Sequence, residues 1–275
     1  MAYEYQSDHA LSYFPCRYGK SKLLFRGPKK RLDGDYVAVL GGTETYGKFV
    51  ENPFTDMLEQ RLGTTVANLG CVNAGPDVFV GDEVVLDICS HARVTVIQIA
   101  GAQNLSNRFY AVHPRRNDRF LKASKLMETM YRDIDFTDYN FTRHLLSALE
   151  SNSADKFLMV RQELKEAWVA RMTTLLAKID SKVVLLWMAD HAPEDNFAQT
   201  GLQADPLFVD REMLEQVRPM VDDIVEVVAG HDEVDAGYER LVFSELDAPS
   251  ARQMLGAVAH DRVAGALQGV LSGLL

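Results

Sequence analysis

Three short turns hold most of the side chains that could do chemistry. Gly41-Gly42-Thr43-Glu44-Thr45-Tyr46-Gly47-Lys48 sets a hydroxyl and a carboxylate directly after an apolar run. Cys71-Val72-Asn73-Ala74-Gly75-Pro76-Asp77 and Gly101-Ala102-Gln103-Asn104 follow the next two apolar runs, and His260 stands near the C-terminus. A hydroxyl on a tight turn becomes a nucleophile when a base takes its proton. Backbone N–H groups and amide side chains become useful when they converge on a developing oxyanion. If the turns meet, a hydroxyl from the first, a backbone N–H from the second and an amide N–H from the third could converge on one developing oxyanion. Gly42, Glu44 and Asn73 would line the substrate. The same residue types also cap helices and tie down loops, so a cleft that binds a carbohydrate or an anion without turnover is the alternative.

Other patterns are weaker. Gly42 to Lys48 satisfies the GxxxxGK part of a phosphate-binding loop after a strand, but Phe49 stands where a magnesium-binding Ser or Thr belongs. This makes a nucleotide binder the second alternative. His113, Arg115, Arg116 and Arg119 form a basic cluster suited to an anionic group on the substrate, and Arg115 and Arg116 are its candidate contacts. The run from Arg26 to Arg31 reads as a solvated loop. No histidine, cysteine or carboxylate spacing implies a metal, including that of His191 with Asp190 and Asp195, and no cofactor is expected. Cys16, Cys71 and Cys89 imply neither a disulfide framework nor a zinc knuckle.

The elements that must position these residues follow from hydrophobic periodicity. Strands are expected over 36–40, 65–70, 94–100, 183–189 and 224–228, each long-range partner separated by a helical pattern. One helix is expected to carry Phe49, Val50, Phe54, Met57, Leu58 and Leu62. Asp77 is expected to cap a helix through Cys89, and further helices are expected near 122–134, 141–151, 155–180, 210–222 and from 258 onward. Residues 1–34, with Tyr3 and Tyr5, read as an irregular arm, and 105–151 as a helical insertion or cap. The alternation calls for a single α/β domain over 1–275, with a mainly parallel sheet of about five strands between helical layers. Ligands then bind beyond the C-terminal strand edge.

The order of the turns resembles the SGNH (GDSL-type) hydrolase superfamily, whose members have a flavodoxin-like fold and cleave esters, often of carbohydrates and lipids. The resemblance covers about residues 36–104 and the C-terminal tail. It puts Thr43 in the place of the nucleophilic serine, Gly75 and Asn104 in the oxyanion blocks, and His260 in the place of the base. The chain departs from the pattern where Gly42 replaces the aspartate before the nucleophile and Ala257 the acid three residues before the histidine. A substitute acid would have to come from Asp190, Asp261 or Glu44. The implied function is hydrolysis or transfer of an acyl ester on a small or carbohydrate-like substrate. The whole chain also resembles an uncharacterised bacterial family known only as a domain of unknown function.

The bulk properties narrow the partners. A formal charge of −10 over 275 residues argues against nucleic acid or an anionic membrane surface. No apolar run reaches the ~18 residues of a membrane span. No signal peptide is visible in Met1 to Ser12, and three unpaired cysteines suit a reducing cytoplasm.

Overall fold

The five long apolar runs form one parallel sheet. The computed structural model describes residues 11–194 and 197–275; Tyr3, Tyr5 and Asp195 lie outside the described residues. β1 (Tyr36–Gly41) leads into α1 (Thr43–Tyr46), α2 (Phe54–Leu62) and β2 (Thr65–Gly70). Next come α3 (Pro76–Val80), α4 (Glu83–His91) and β3 (Val94–Gln98). An antiparallel pair, β4 (Tyr110–His113) and β5 (Arg116–Ala123), precedes α5 (Lys125–Met130), α6 (Thr142–Asn152) and α7 (Ala154–Leu176). β6 (Lys182–Ala189), α8 (Phe197–Thr200), α9 (Arg211–Val217) and β7 (Asp223–Val228) follow. The chain ends with α10 (His231–Tyr238), α11 (Ala248–Ala251) and α12 (Gly256–Leu274).

The main sheet has the order β2-β1-β3-β6-β7, with every neighbouring pair parallel. Numbered within the sheet this is 2-1-3-4-5, the flavodoxin-like order, whose switch point lies between the first and third strands. Alternate residues serve opposite layers. Val37, Val39, Val96 and Val184 pack with Phe54 and Leu58 of α2 and with Val263 and Leu267 of α12. Leu40, Ile97, Leu185 and Trp187 pack with Val85 of α4, Trp168 of α7 and Leu214 of α9. Burial on both faces is why these strands read as continuous apolar runs. The result is the three-layer α/β sandwich expected from the sequence.

The structure corrects the expected elements where short-range chemistry interrupts the periodicity. The helix expected through Phe49 and Leu62 is two helices. α1 stops at Gly47 (φ 71°), Phe49 is also left-handed (φ 67°), and α2 restarts after Pro53. Asp77 is not a cap: Gly75 precedes α3, and Asp82 caps α4 by accepting the Val85 N–H. The helix expected from 122 is partly strand, so the 105–151 segment contains the β4–β5 hairpin as well as helices. Pro219 cannot continue α9, which tightens into a 3₁₀ turn over Arg218–Met220.

Arg26 departs most from its expected solvated loop. It is buried, and its guanidinium donates to the carbonyls of Gly47 (2.6 Å), Val50 (2.8 Å) and Glu51 (2.7 Å). It thereby supplies donors to the stretch where the α1–α2 path leaves helical geometry. Arg26→Met should remove all three hydrogen bonds, of which those to Gly47 and Val50 are buried. We expect a loss of about 2–4 kcal/mol in urea unfolding; a midpoint unchanged from wild type would mean that the loop is held by other contacts.

Candidate functional site

A cleft of about 500 Å³ opens at the C-terminal edge of the sheet. The β1–α1 turn contributes Gly42, Thr43 and Glu44, and the β2–α3 turn contributes Asn73. Gln98, Gln103 and Asn104 come from the end of β3 and its turn, Asp118 from β5, and residues 252–255 from the approach to α12. The first turn is pinned by the buried Gln98 carboxamide oxygen. It accepts the N–H groups of Gly42 and Thr45, both at 3.1 Å, and the Thr45 hydroxyl at 2.6 Å. Gly41 has no room for a side chain, because a Cβ would lie 2.1 Å from Thr45 Oγ1 and 2.6 Å from Gln98 Oε1.

Thr43 and Asn104 both line this cleft. The Thr43 hydroxyl donates to Asn73 Oδ1 at 3.2 Å and accepts the Asn73 backbone N–H at 3.0 Å. Asn73 Nδ2 donates in turn to Asp118 Oδ2 at 3.2 Å. Asn73 sits at φ 56°, a left-handed conformation that asparagine tolerates better than most residues. Asn104 Oδ1 accepts the Thr142 hydroxyl at 2.8 Å, which turns Nδ2 toward the Asn73 carbonyl, 3.4 Å away. Asp118, Thr142 and Gln98 carry this arrangement, and none was a sequence candidate. Only Gln98, a polar residue closing an apolar strand, left a trace in the pattern.

Gly75 is engaged elsewhere. Its N–H donates at 3.0 Å to Oδ1 of the fully buried Asn117, which also takes the Val78 N–H at 3.1 Å. Its Cα lies against the Asn104 carbonyl, which a Cβ would approach to 1.9 Å, so glycine here serves close packing. The Gly75 N–H, expected from the sequence to face an oxyanion, is donated inside the protein. Arg115 and Arg116, the substrate contacts expected from the sequence, are exposed at the hairpin turn and do not line the cleft. The guanidiniums that do line it are Arg143 and Arg252. Arg143 donates to the Leu202 and Ala204 carbonyls and pairs with Asp205 at 3.3 Å.

His260 is fully buried. Its Nδ1 accepts the Phe54 backbone N–H at 3.0 Å, which places the ring proton on Nε2. Nε2 faces Glu44 Oε2 at 3.2 Å, and Glu44 Oε1 accepts the Leu255 N–H at 3.0 Å. Glu44 is therefore the acid that the tail histidine meets. Asp261 pairs with Arg61 at 2.6 Å and Asp190 with His191 at 2.8 Å. The hydrogen bond from His191 also holds the Asp190 carboxyl below its ordinary range. With Nδ1 engaged by Phe54 and Nε2 by Glu44, the His260 ring offers no free nitrogen to the Thr43 hydroxyl, which the role of base expected from the sequence would need.

The nucleotide pattern also fails geometrically. The helix begins at Thr43, one residue after the strand turn, leaving no loop to wrap phosphates, and the Lys48 ammonium lies over the Phe49 ring at 4.6 Å. Cys71 lies in the second turn, where burial pushes its thiol up to about 12; burial does the same to Cys89. Among the described residues no group of three His, Cys, Asp or Glu side chains could hold a metal ion. No described helix is long and apolar enough to cross a membrane.

The sequence matches, over residues 1–275, the family described as a domain of unknown function, DUF6473. The chain belongs to that family. No curated protein matches its sequence. Among solved structures it is similar to a family two carbohydrate esterase from Clostridium thermocellum in complex with cellohexaose. That match has a TM-score of 0.46 and 9% identity, and covers 92% of this chain and 68% of the other. It is also similar to Est24, a carbohydrate acetylesterase from Sinorhizobium meliloti, with a TM-score of 0.44, 11% identity and coverage of 88% and 100%. The M. smegmatis aryl esterase gives a TM-score of 0.43 at 10% identity, with coverage of 88% and 100%. Such distant likenesses assign no activity to this family member.

Two outcomes test the geometry. His260→Ala orphans the Phe54 N–H and leaves the Glu44 carboxylate short of a donor, so unfolding in urea should show a loss of about 2–4 kcal/mol. Wild-type stability in that variant would remove the structural role given to the ring. Iodoacetamide at pH 8 should leave Cys71 and Cys89 unmodified in the folded protein and alkylate both in urea, because thiols with values near 12 hold almost no thiolate at that pH. Rapid native labelling by peptide mass mapping would contradict their burial.

Proposed function

We propose that the cleft binds a neutral carbohydrate-like ligand, and that the protein is a relative of SGNH-type ester hydrolases whose base has become part of the core. The observation that carries this reading is the engagement of both His260 nitrogens by Phe54 and Glu44, which leaves a Thr43 proton no acceptor on that ring. The cleft volume of about 500 Å³ falls in the range of small-molecule sites. Its walls carry amides and carboxylates, including Asn73, Asn104, Gln103, Asp118 and Asp190, groups that suit a ligand rich in hydroxyls. Arg143 and Asp205 pair with each other, and Glu44, Asp118 and Asp190 outnumber the remaining Arg252 around the cleft. That balance disfavours the anionic ligand.

A second reading is favoured by one observation: the Thr43 hydroxyl and the Asn104 carboxamide line the same cleft. In it, Thr43 Oγ attacks the ester's acyl carbon, and a cleft carboxylate takes the hydroxyl proton and passes it to the alcohol oxygen as that C–O bond breaks and the alcohol leaves. Asn104 Nδ2 donates to the oxyanion, and water then releases the acid. Asn73 must first give up the Thr43 proton.

Calorimetry with neutral cello-, xylo- and chito-oligosaccharides, against uronic-acid oligomers, tests the binding reading. Neutral sugars should bind, uronates should not, and a sugar at 100 times its Kd should add about 2.7 kcal/mol of stability. Hydrolysis of p-nitrophenyl acetate should be equal in wild type, Thr43→Ala and His260→Ala. A wild-type rate that Thr43→Ala abolishes would replace binding by ester hydrolysis.

A further inference from the structure

We propose that Asp118 fixes the hydrogen-bond polarity of Thr43. Acting through Asn73, it leaves the threonine oxygen facing the cleft as an acceptor, so the ligand group taken there is a hydrogen donor such as a sugar hydroxyl. This rests on the reading that the cleft holds a carbohydrate-like ligand and narrows it to one atom.

An ionised carboxylate only accepts hydrogen bonds, so the Asn73 carboxamide must turn its NH₂ toward Asp118, and Nδ2 lies 3.2 Å from Oδ2. Its Oδ1 then faces Thr43 and takes the hydroxyl proton at 3.2 Å. The Asn73 backbone N–H occupies one acceptor site of the same oxygen at 3.0 Å. One lone pair remains, and no hydrogen. Thr43, Asn73 and Asp118 all line the cleft, so the remaining lone pair belongs to a group at its surface. A ligand hydroxyl can donate to it; an ether, carbonyl or carboxylate oxygen meets only a second acceptor.

The carboxylate itself is held from behind. Its neighbour Asn117 is fully buried, accepts the N–H groups of Gly75 and Val78, and donates to the His113 carbonyl at 3.0 Å. β5 thus sets Asp118 relative to the turn that carries Asn73. Asp118 is a positioning residue: it acts on the ligand through Asn73 and Thr43.

Asp118→Asn separates this role from simple packing, because the new amide accepts or donates and lets Asn73 turn either way, freeing the Thr43 proton. Calorimetry on the best-binding oligosaccharide of the neutral panel and its mono-O-methyl derivatives reads the polarity. Wild type should lose on the order of tenfold in affinity for the derivative methylated at the contacting hydroxyl, and Asp118→Asn should bind parent and derivative alike. The Asn73 side-chain NH₂ resonances and the Thr43 methyl resonance should both move in Asp118→Asn at unchanged melting temperature. Unmoved resonances would overturn the hold of Asp118 on Thr43, and equal discrimination by both proteins would overturn the ligand preference. If wild type binds none of the sugars, the ligand reading and the ligand class assigned here both fall, while the resonances still decide the polarity of Thr43.

Discussion

The buried carboxylate of Glu44 is the constraint on which the site depends. A carboxylate withdrawn from water is costly unless its oxygens find donors. Glu44 finds them 211 residues away at the Leu255 N–H and 216 residues away at His260 Nε2. The first turn and the last helix are therefore tied by one side chain. Residues 252–255, which form a wall of the cleft, are placed by the same tie. The ring then passes the constraint on: its Nδ1 accepts from the first residue of α2, so the path after the turn is anchored to α12 as well.

A triad needs a histidine that gives one nitrogen to an acid and the other to a nucleophile. Here the acid is present, but the second nitrogen meets a peptide N–H. The difference is one of depth. His260 lies one turn inside α12, facing the apolar layer with Ala259 and Val263, and not on the loop that reaches the cleft. The same residue types that would make a reactive pair at the surface make a tie when the helix begins four residues before the histidine. Partner identity at each ring nitrogen, more than the presence of an acid, decides which of the two a histidine becomes.

How much of this was legible follows from the range of each interaction. The strands were readable because burial on both faces leaves runs such as Val94 to Ile97 almost purely apolar, and their order followed from the alternation with helices. The turns were readable as site-bearing because Gly41, Gly42 and Gly101 interrupt those runs. Helix continuity across 47–53 was not, since it is broken by two left-handed residues and by Arg26, which reaches in from 21 residues upstream. The β4–β5 hairpin was hidden because β5 is mostly charged and its large apolar residues, Phe120 and Leu121, are adjacent and so give no alternation. Glu44 stood among three acids open to His260, but the partner of Gly75 and the carboxylate that holds Asn73 were illegible: Asn117 and Asp118 lie far from them in sequence, and polar residues outside a periodic pattern leave no signal.

The hairpin explains how one insertion shapes two functions of the site. Successive residues of a strand point to opposite sides. Asn117 therefore turns into the protein, where it closes the start of α3 and takes the Gly75 N–H, while Asp118 turns to the cleft and holds Asn73. The step that removes an oxyanion donor and the step that orients the threonine are a single element in a single register. A one-residue slip of β5 would put Arg116 or Asp118 in the fully buried place of Asn117 and would take the carboxylate away from Asn73, so a charge would enter the interior while the Asn73 carboxamide lost its partner at the cleft.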